Sequence, residues 1–492
     1  MSRSGGDGWW LAALPVALGA AAYSWILGVY FEGDDFVHLY DLANIGPLAF
    51  VWKGQAGHAY LVRNTVFWLT HALFGLHAAG FMATILLTHL VNVFLCQRAG
   101  ARLSRDPYAA SAAASMWAVA PSAAGTLGWY SVFGQVLATT ALLAVLLLVS
   151  RRAADARPVT TRTVLGWLAV SWVGEFCFGT GVAVALVMPA VIALLMPSVL
   201  GRARTRWLLA TGPLVVVVLY VAYQVLGERV AGVPSGAYAR ASFGLFGTWR
   251  SAIPVFFHLI AAGPADLFFG PLGWTDAPVA AGALALLALL VLAAGGGAEV
   301  RRQGAALALC SAAAYGMISI GRGIFGGAAI IAPRYHYLAQ APVALLLAVV
   351  VARLARGHGS LGWRRVAVLS WAALLAIVVA HRGWPAHPGD EAKRREVEEM
   401  RAAIETAVRA TPAGATVYVQ NRPYQAAGLL VALPQYFPRW AGLFCMLYPE
   451  NAVEGRPVRF VEPDPAVRRA AAAGPRGADL LVEAAPPGAA VW

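Results

Sequence analysis

Lysine is almost missing from this 492-residue chain: Lys53 and Lys393 are the only two. Charge of either sign is sparse, with 12% of residues charged against 59% hydrophobic, where a soluble domain carries about 25% charged residues. That shortage excludes a water-solvated globule as the main architecture and leaves lipid as the solvent for most of the surface. The four cysteines, Cys96, Cys177, Cys310 and Cys445, show neither metal-ligand spacing nor a disulfide framework. Phosphate-binding loops, dinucleotide fingerprints and serine-histidine nucleophile elbows are also absent. The net charge of +13 does not point to nucleic acid, because the arginines flank apolar stretches and do not line one face.

What the chain has is long apolar runs. A span needs roughly 20 apolar residues, and eleven stretches are expected to cross: 9–31, 78–97, 108–125, 131–150, 163–178, 181–200, 207–227, 278–297, 303–320, 337–355 and 362–381. One set of loops holds 17 arginines, including Arg98, Arg102, Arg105, Arg202, Arg301 and Arg302; the opposite short loops hold 7 arginines and lysines. Cytoplasmic loops carry the excess of positive charge, so the N-terminus is expected in the cytoplasm. The apolar stretch Thr163–Leu200 has arginines beyond both ends, so it goes out and returns, and the turn at Gly174–Thr180 faces outward. The stretch 251–271 is apolar enough to cross, but crossing would strand Arg301 and Arg302 outside. It is therefore expected as an external or re-entrant helix, shortened by Pro254, Pro264 and Pro271. The first run is long for a cleaved signal peptide, and its leading segment has one arginine, so it is kept as a span.

Residues 382–492 change character. Glu391–Arg409 is a charged helix with Val397, Met400, Ile404 and Val408 on one face, stopped by Pro412 and Gly414. The β-rich runs Thr416–Val419, Val458–Val461 and Leu480–Val482 follow. The expected fold is thus an all-α polytopic membrane protein with about 11 transmembrane helices and external amphipathic helices (1–381), plus a small C-terminal α/β soluble domain (382–492). An odd number of crossings puts that domain outside.

Polar residues stand out where spans meet the outer side. Asp34 and Asp35 follow the first span directly and open a helix that places Asp34, His38 and Asp41 near one face. They are either a helix cap and a dipole partner or a catalytic base and its neighbour. Arg63, before an amphipathic helix at Thr65–Leu76, is an interfacial anchor or an anion ligand. His89 lies inside a span and needs a partner, and an inter-helix hydrogen bond satisfies it. Glu175, at the outward turn, is a solvated turn residue or a functional carboxylate. Arg322, with Arg334, Tyr335 and His336 opening a late span, suits a lipid phosphate or an aromatic belt with an anchoring arginine.

In order, Asp34-Asp35-Phe36, the helix around Arg63–Gly75, His89-Leu90-Val91-Asn92, Glu175 before Pro189, and Arg334-Tyr335 resemble the GT-C superfamily of membrane glycosyltransferases. The likeness is nearest to relatives of the protein O-mannosyltransferases and of the lipid A aminoarabinose transferase. The resemblance covers most of 9–356. It implies an inner-membrane enzyme that moves a sugar from a polyprenyl-phosphate donor to a hydroxyl of a lipid, glycan or protein acceptor outside the cytoplasm, with inversion. It implies Asp34 as base with Asp35 assisting, and places His38, Arg63, Glu175, Arg322, Arg334, Tyr335 and His336 around the substrate. Some GT-C branches use a divalent metal and some do not, so the resemblance leaves metal open. Two departures stand out: relatives often have Arg-Pro where this chain has Arg63-Asn64, and Lys-Glu where it has Gly174-Glu175. A transporter or flippase is the alternative class; it would show inverted repeats, and none is visible.

Overall fold

A computed structural model describes residues 9–31, 34–54, 58–154, 159–231, 248–270, 279–322, 333–356 and 361–382, then 406, 409–410 and four strands of the C-terminal part. The chain enters through α1 (Trp10–Tyr23), continued by a 3-10 turn to Gly28. Next come α2 (Asp34–Trp52), α3 (Leu61–Phe74), α4 (Ala78–Ser104), α5 (Pro107–Ala118), the single turn α6 (Ala124–Leu127) and α7 (Phe133–Ala154). The bundle continues with α8 (Thr161–Glu175), α9 (Gly179–Leu195), α10 (Ala203–Ala231), α11 (Thr248–Phe269) and α12 (Val279–Ala294). It ends with α13 (Ala298–Arg322), α14 (Tyr337–Leu354) and α15 (Leu361–Arg382).

Among the described residues, eight helices are long and apolar enough to cross a membrane, and α9 and α12 are apolar but shorter. Seven of the eleven expected spans are among the eight. The expected span 108–125 is not one helix. It stops at Ala118, and Pro121, which has no N–H to donate, opens a 3-10 turn instead. The expected span 163–178 is the 15-residue α8. The eighth long helix is Arg250–Phe269, where an external or re-entrant helix shortened by prolines is expected from the sequence. Pro254 and Pro264 do not shorten it: each proline removes one backbone bond, and packing against neighbouring helices compensates. α11 lies against α12, α13 and α14, and Asp266 near its end accepts from Gln340 Nε2 of α14 at 2.9 Å.

α4 sits at the centre, packed against α1, α5, α7 and α14. Polar groups inside it are paired, as hydrocarbon surroundings demand. His89 Nδ1 shares a 2.8 Å hydrogen bond with the Tyr337 hydroxyl, and Nε2 faces the Ala118 carbonyl. Asn92 donates to the Val136 carbonyl at 2.8 Å and accepts from Thr140 at 2.7 Å. The inter-helix reading of His89 fits these contacts.

In the C-terminal part, β1 (Thr416–Gln420), β2 (Ala452–Val453), β3 (Arg456–Val461) and β4 (Asp479–Glu483) form one sheet in the order β2-β3-β1-β4. β1 runs parallel to β3 and β4, with Val417 opposite Val458 and Leu480. β1, β3 and β4 cover the three β-rich runs picked from sequence. Most of the expected helix Glu391–Arg409 and Cys445 lie outside the described residues.

The turn after α8 docks directly on the start of α7. A methyl group on Gly134 would sit 2.1 Å from the Cys177 carbonyl oxygen, so only glycine allows this approach. Gly134→Ala is expected to destabilise the folded protein by about 1–3 kcal/mol, read as a lower thermal unfolding temperature in detergent. An unchanged unfolding temperature would contradict the packing described.

Candidate active site

The site is built on a chain reversal. α2 starts at Asp34, with both aspartates in its first turn, and breaks at Gly46, whose φ of 77° is a left-handed conformation that glycine tolerates. Pro47 follows, and proline disfavours a helical residue before it. The second half of α2 therefore folds back on the first. Lys53 Nζ reaches Asp41 at 2.6 Å, and the Phe50 ring lies 6.4 Å from that of His38. Asn64 on α3 fixes the returned end, donating from Nδ2 to the carbonyls of Phe50 and Lys53 at 2.8 and 3.0 Å. Asn64, which stands where the resembled glycosyltransferases often have proline, thus secures the reversal.

Aromatic rings hold α3 in place beneath the acidic pair. Phe67 meets Phe81 and Tyr130 with centroids 5.3 Å apart, and Phe81 meets Tyr130 at 4.9 Å; such pairs contribute roughly 0.5–1.5 kcal/mol each beyond burial.

Charge is concentrated above these rings. Asp35 is fully buried and accepts from the Ser131 hydroxyl at 2.6 Å; Asp34 is half-buried. Arg63 is 0% exposed, which excludes an interfacial anchor at the lipid boundary. Its Nη2 donates to the Ser131 carbonyl at 3.2 Å and its Nη1 to Asn64 Oδ1 at 2.8 Å. Its guanidinium lies 4.7 Å from the Tyr60 ring centre, with Asp35 and Asp34 in its electrostatic reach. Its Nε has no hydrogen-bond partner among the described residues. Ser131 therefore joins carboxylate and guanidinium through one residue.

The same loop reaches the second cation. Trp129, two residues before Ser131, lies under the half-buried Arg334 guanidinium at 5.0 Å, and Tyr335 lies at 5.1 Å. Thr126 donates to the Arg334 carbonyl at 2.9 Å. Tyr335 is buried, and His336 turns into the bundle, where its Nδ1 meets the Tyr315 hydroxyl at 3.0 Å. Arg322 ends α13, and its side chain lies outside the described residues. Glu175 is not a solvated turn residue: it is buried, and neither carboxyl oxygen has a hydrogen-bond partner among the described residues. The adjacent Phe176 carbonyl accepts from Val62 N at 3.0 Å, which sets Glu175 beside the start of α3. Among the described residues, no group of three or more His, Cys, Asp or Glu stands close enough to hold a metal ion.

The structure thus ties Asp34, Asp35, His38, Arg63 and Arg334 to one end of the bundle. Sequence reasoning missed Ser131, Trp129, Asn64 and Lys53. The run Trp129-Tyr130-Ser131 just before a span, and the rarity of lysine, were the available signals.

No family model matches the sequence, and no curated protein matches it. Solved structures do. A crystal structure of ArnT from Cupriavidus metallidurans bound to undecaprenyl phosphate matches with a TM-score of 0.50 at 14% identity, covering 96% of this chain and 90% of that one. The apo structure of ArnT from the same organism matches with a TM-score of 0.48 at 16% identity, covering 96% of each chain. The chain has the GT-C fold. This agrees with the resemblance seen in the ordered motifs, and at 14% identity it is an agreement of architecture.

His38 gives the site a pH signature. Burial first, then the charges of Arg63 and Lys53, hold its pKa well below the ordinary value, so the folded protein keeps it neutral. The unfolded chain takes up a proton as pH falls through about 6.5, so stability is lost below that pH. His38→Phe preserves the ring contacts with Phe50, Tyr60 and Phe67. The drop in unfolding temperature between about pH 8 and pH 5 should be smaller in that variant. Equal acid sensitivity in both proteins would contradict the neutral, buried His38.

Proposed function

We propose that this chain is an inverting membrane glycosyltransferase that takes a sugar from a polyprenyl-phosphate donor and delivers it to an acceptor hydroxyl on the extracytoplasmic side of the inner membrane. The observation that carries this reading is the Ser131 bridge, which joins the acidic pair to buried Arg63 and continues two residues away beneath Arg334. A fold shared with a protein crystallised with undecaprenyl phosphate adds support.

Each part has a chemical role. Asp34, the more accessible carboxylate, takes the acceptor proton as the acceptor oxygen bonds to the anomeric carbon. The bond from that carbon to the phosphate oxygen breaks on the opposite face, so the configuration inverts. The phosphate leaves as an anion and needs cations, not an acid. Arg334 supplies the guanidinium nearest to that task, with Tyr335 next to it in sequence and Arg322, from the end of α13, as the second cation of the proposal. Arg63 acts at one remove, holding Ser131 and Asp35 and lending its field. Glu175 and His38 complete the surroundings. Residues 382–492 form the extracytoplasmic α/β domain, and the end of the bundle rich in arginine faces the cytoplasm.

The test is sugar transfer from a labelled polyprenyl-phosphate donor in right-side-out membrane vesicles with matched amounts of protein. Asp34→Asn should lower the rate by about 10²–10⁴, the usual loss for a general base. If Asp35→Asn alone is inactive, the base is Asp35; if both variants transfer at near-normal rates, the assignment fails.

A further inference from the structure

A second polar site lies at the other end of the bundle. α7 begins beside Ser131 and its 22 residues carry it about 33 Å at 1.5 Å per residue, roughly the thickness of a bilayer's hydrocarbon core. At its far end, the C-terminal ends of α4, α7 and α9 and the start of α13 line an open cavity of about 700 Å³. Four arginines line it, Arg102, Arg105, Arg202 and Arg302, against one carboxylate, Glu299.

The positive charge is only partly spent within the protein. Arg105 pairs with Glu299 at 2.8 Å, and Arg202 donates to the Val159 carbonyl at 2.6 Å. Arg102 and Arg302 have no hydrogen bond or ion pair among the described residues. Helix C-termini attract cations, which accounts for Arg102 in the last turn of α4. It does not account for Arg302, which sits near the N-terminus of α13, where the helix dipole opposes a cation and favours an anion. The rest of the lining is largely apolar, including Leu103, Val159 and Met196. Uncommitted guanidinium groups above an apolar wall suit an amphiphile whose head is a phosphate.

We propose that this cavity binds the phosphate headgroup of an anionic membrane lipid, in the leaflet opposite the candidate active site. Arg102 and Arg302 hold the phosphate oxygens, and Glu299 sets an upper limit on affinity by its own negative charge.

The experiment uses the full chain in nanodiscs containing phosphatidylglycerol and phosphatidylcholine, with lipid retention read by native mass spectrometry. The wild type should retain phosphatidylglycerol over phosphatidylcholine. Arg102→Gln and Arg302→Gln should each weaken that retention on the order of tenfold, the effect of losing one charged hydrogen-bonding partner. Glu299→Gln should strengthen it, a result that a folding defect does not produce. A parallel arm adds inorganic phosphate to protein in phosphatidylcholine alone and measures thermal stabilisation. Equal retention of the two lipids by the wild type, or retention unaffected by both arginine substitutions, overturns the proposal. Stabilisation by inorganic phosphate without any preference for phosphatidylglycerol replaces the lipid with a soluble phosphate ligand and overturns it as well.

Discussion

Burying opposite charges under one serine organises this end of the molecule. A fully buried guanidinium and a fully buried carboxylate are each costly to take out of water, and neither is tolerated without the other. Ser131 answers both at once: its hydroxyl donates to Asp35 and its carbonyl accepts from Arg63. That requirement places three otherwise separate pieces together, the first turn of α2, the first turn of α3 and the start of α7. The kink at Gly46 and the capping of the α2 end by Asn64 then follow as the means of folding α2 compactly over α3.

The bundle has two chemically different ends. One gathers the acidic pair, Arg63, Arg334, His38 and the Asp41–Lys53 pair within a shell of aromatic rings. Burial pushes the Asp41 carboxyl up, and the Lys53 ammonium draws it back. The other end presents arginines around an open cavity. The proposed group transfer from a lipid-borne donor would use such an asymmetry. The reacting end needs fixed dipoles and little water, while the opposite end has only to anchor the protein against a charged leaflet.

Much of the architecture was readable from hydropathy alone, because lipid imposes long apolar helices and leaves few alternatives. The start of α2 at Asp34 and the buried pairing of His89 also followed from local rules. The misplaced pieces have specific causes. Pro254 and Pro264 look like breaks in sequence, yet α11 continues through them because neighbouring helices support it. The stretch 108–125 is apolar enough to cross, yet Pro121 ends its helicity early. Ser131 and Trp129 were hard to pick as site residues because their partners lie far along the chain: Ser131 is 96 positions from Asp35. Asn64 was missed for another reason, since Phe50 and Lys53 come within its reach only after the break at Gly46. No local period encodes such contacts. The burial of Glu175 was hidden for a similar reason: the turn that follows it presses against Gly134, far back in the chain.

The proposed chemistry depends on where a donor phosphate would sit. Determining the structure of the full chain with an added polyprenyl phosphate tests this most directly. The phosphate should lie at the Asp34 end of the bundle, with its oxygens within hydrogen-bond reach of the Arg334 guanidinium and its chain running into lipid between helices. A polyprenyl phosphate bound with no phosphate oxygen near Arg334, on a face remote from Asp34, would contradict the account.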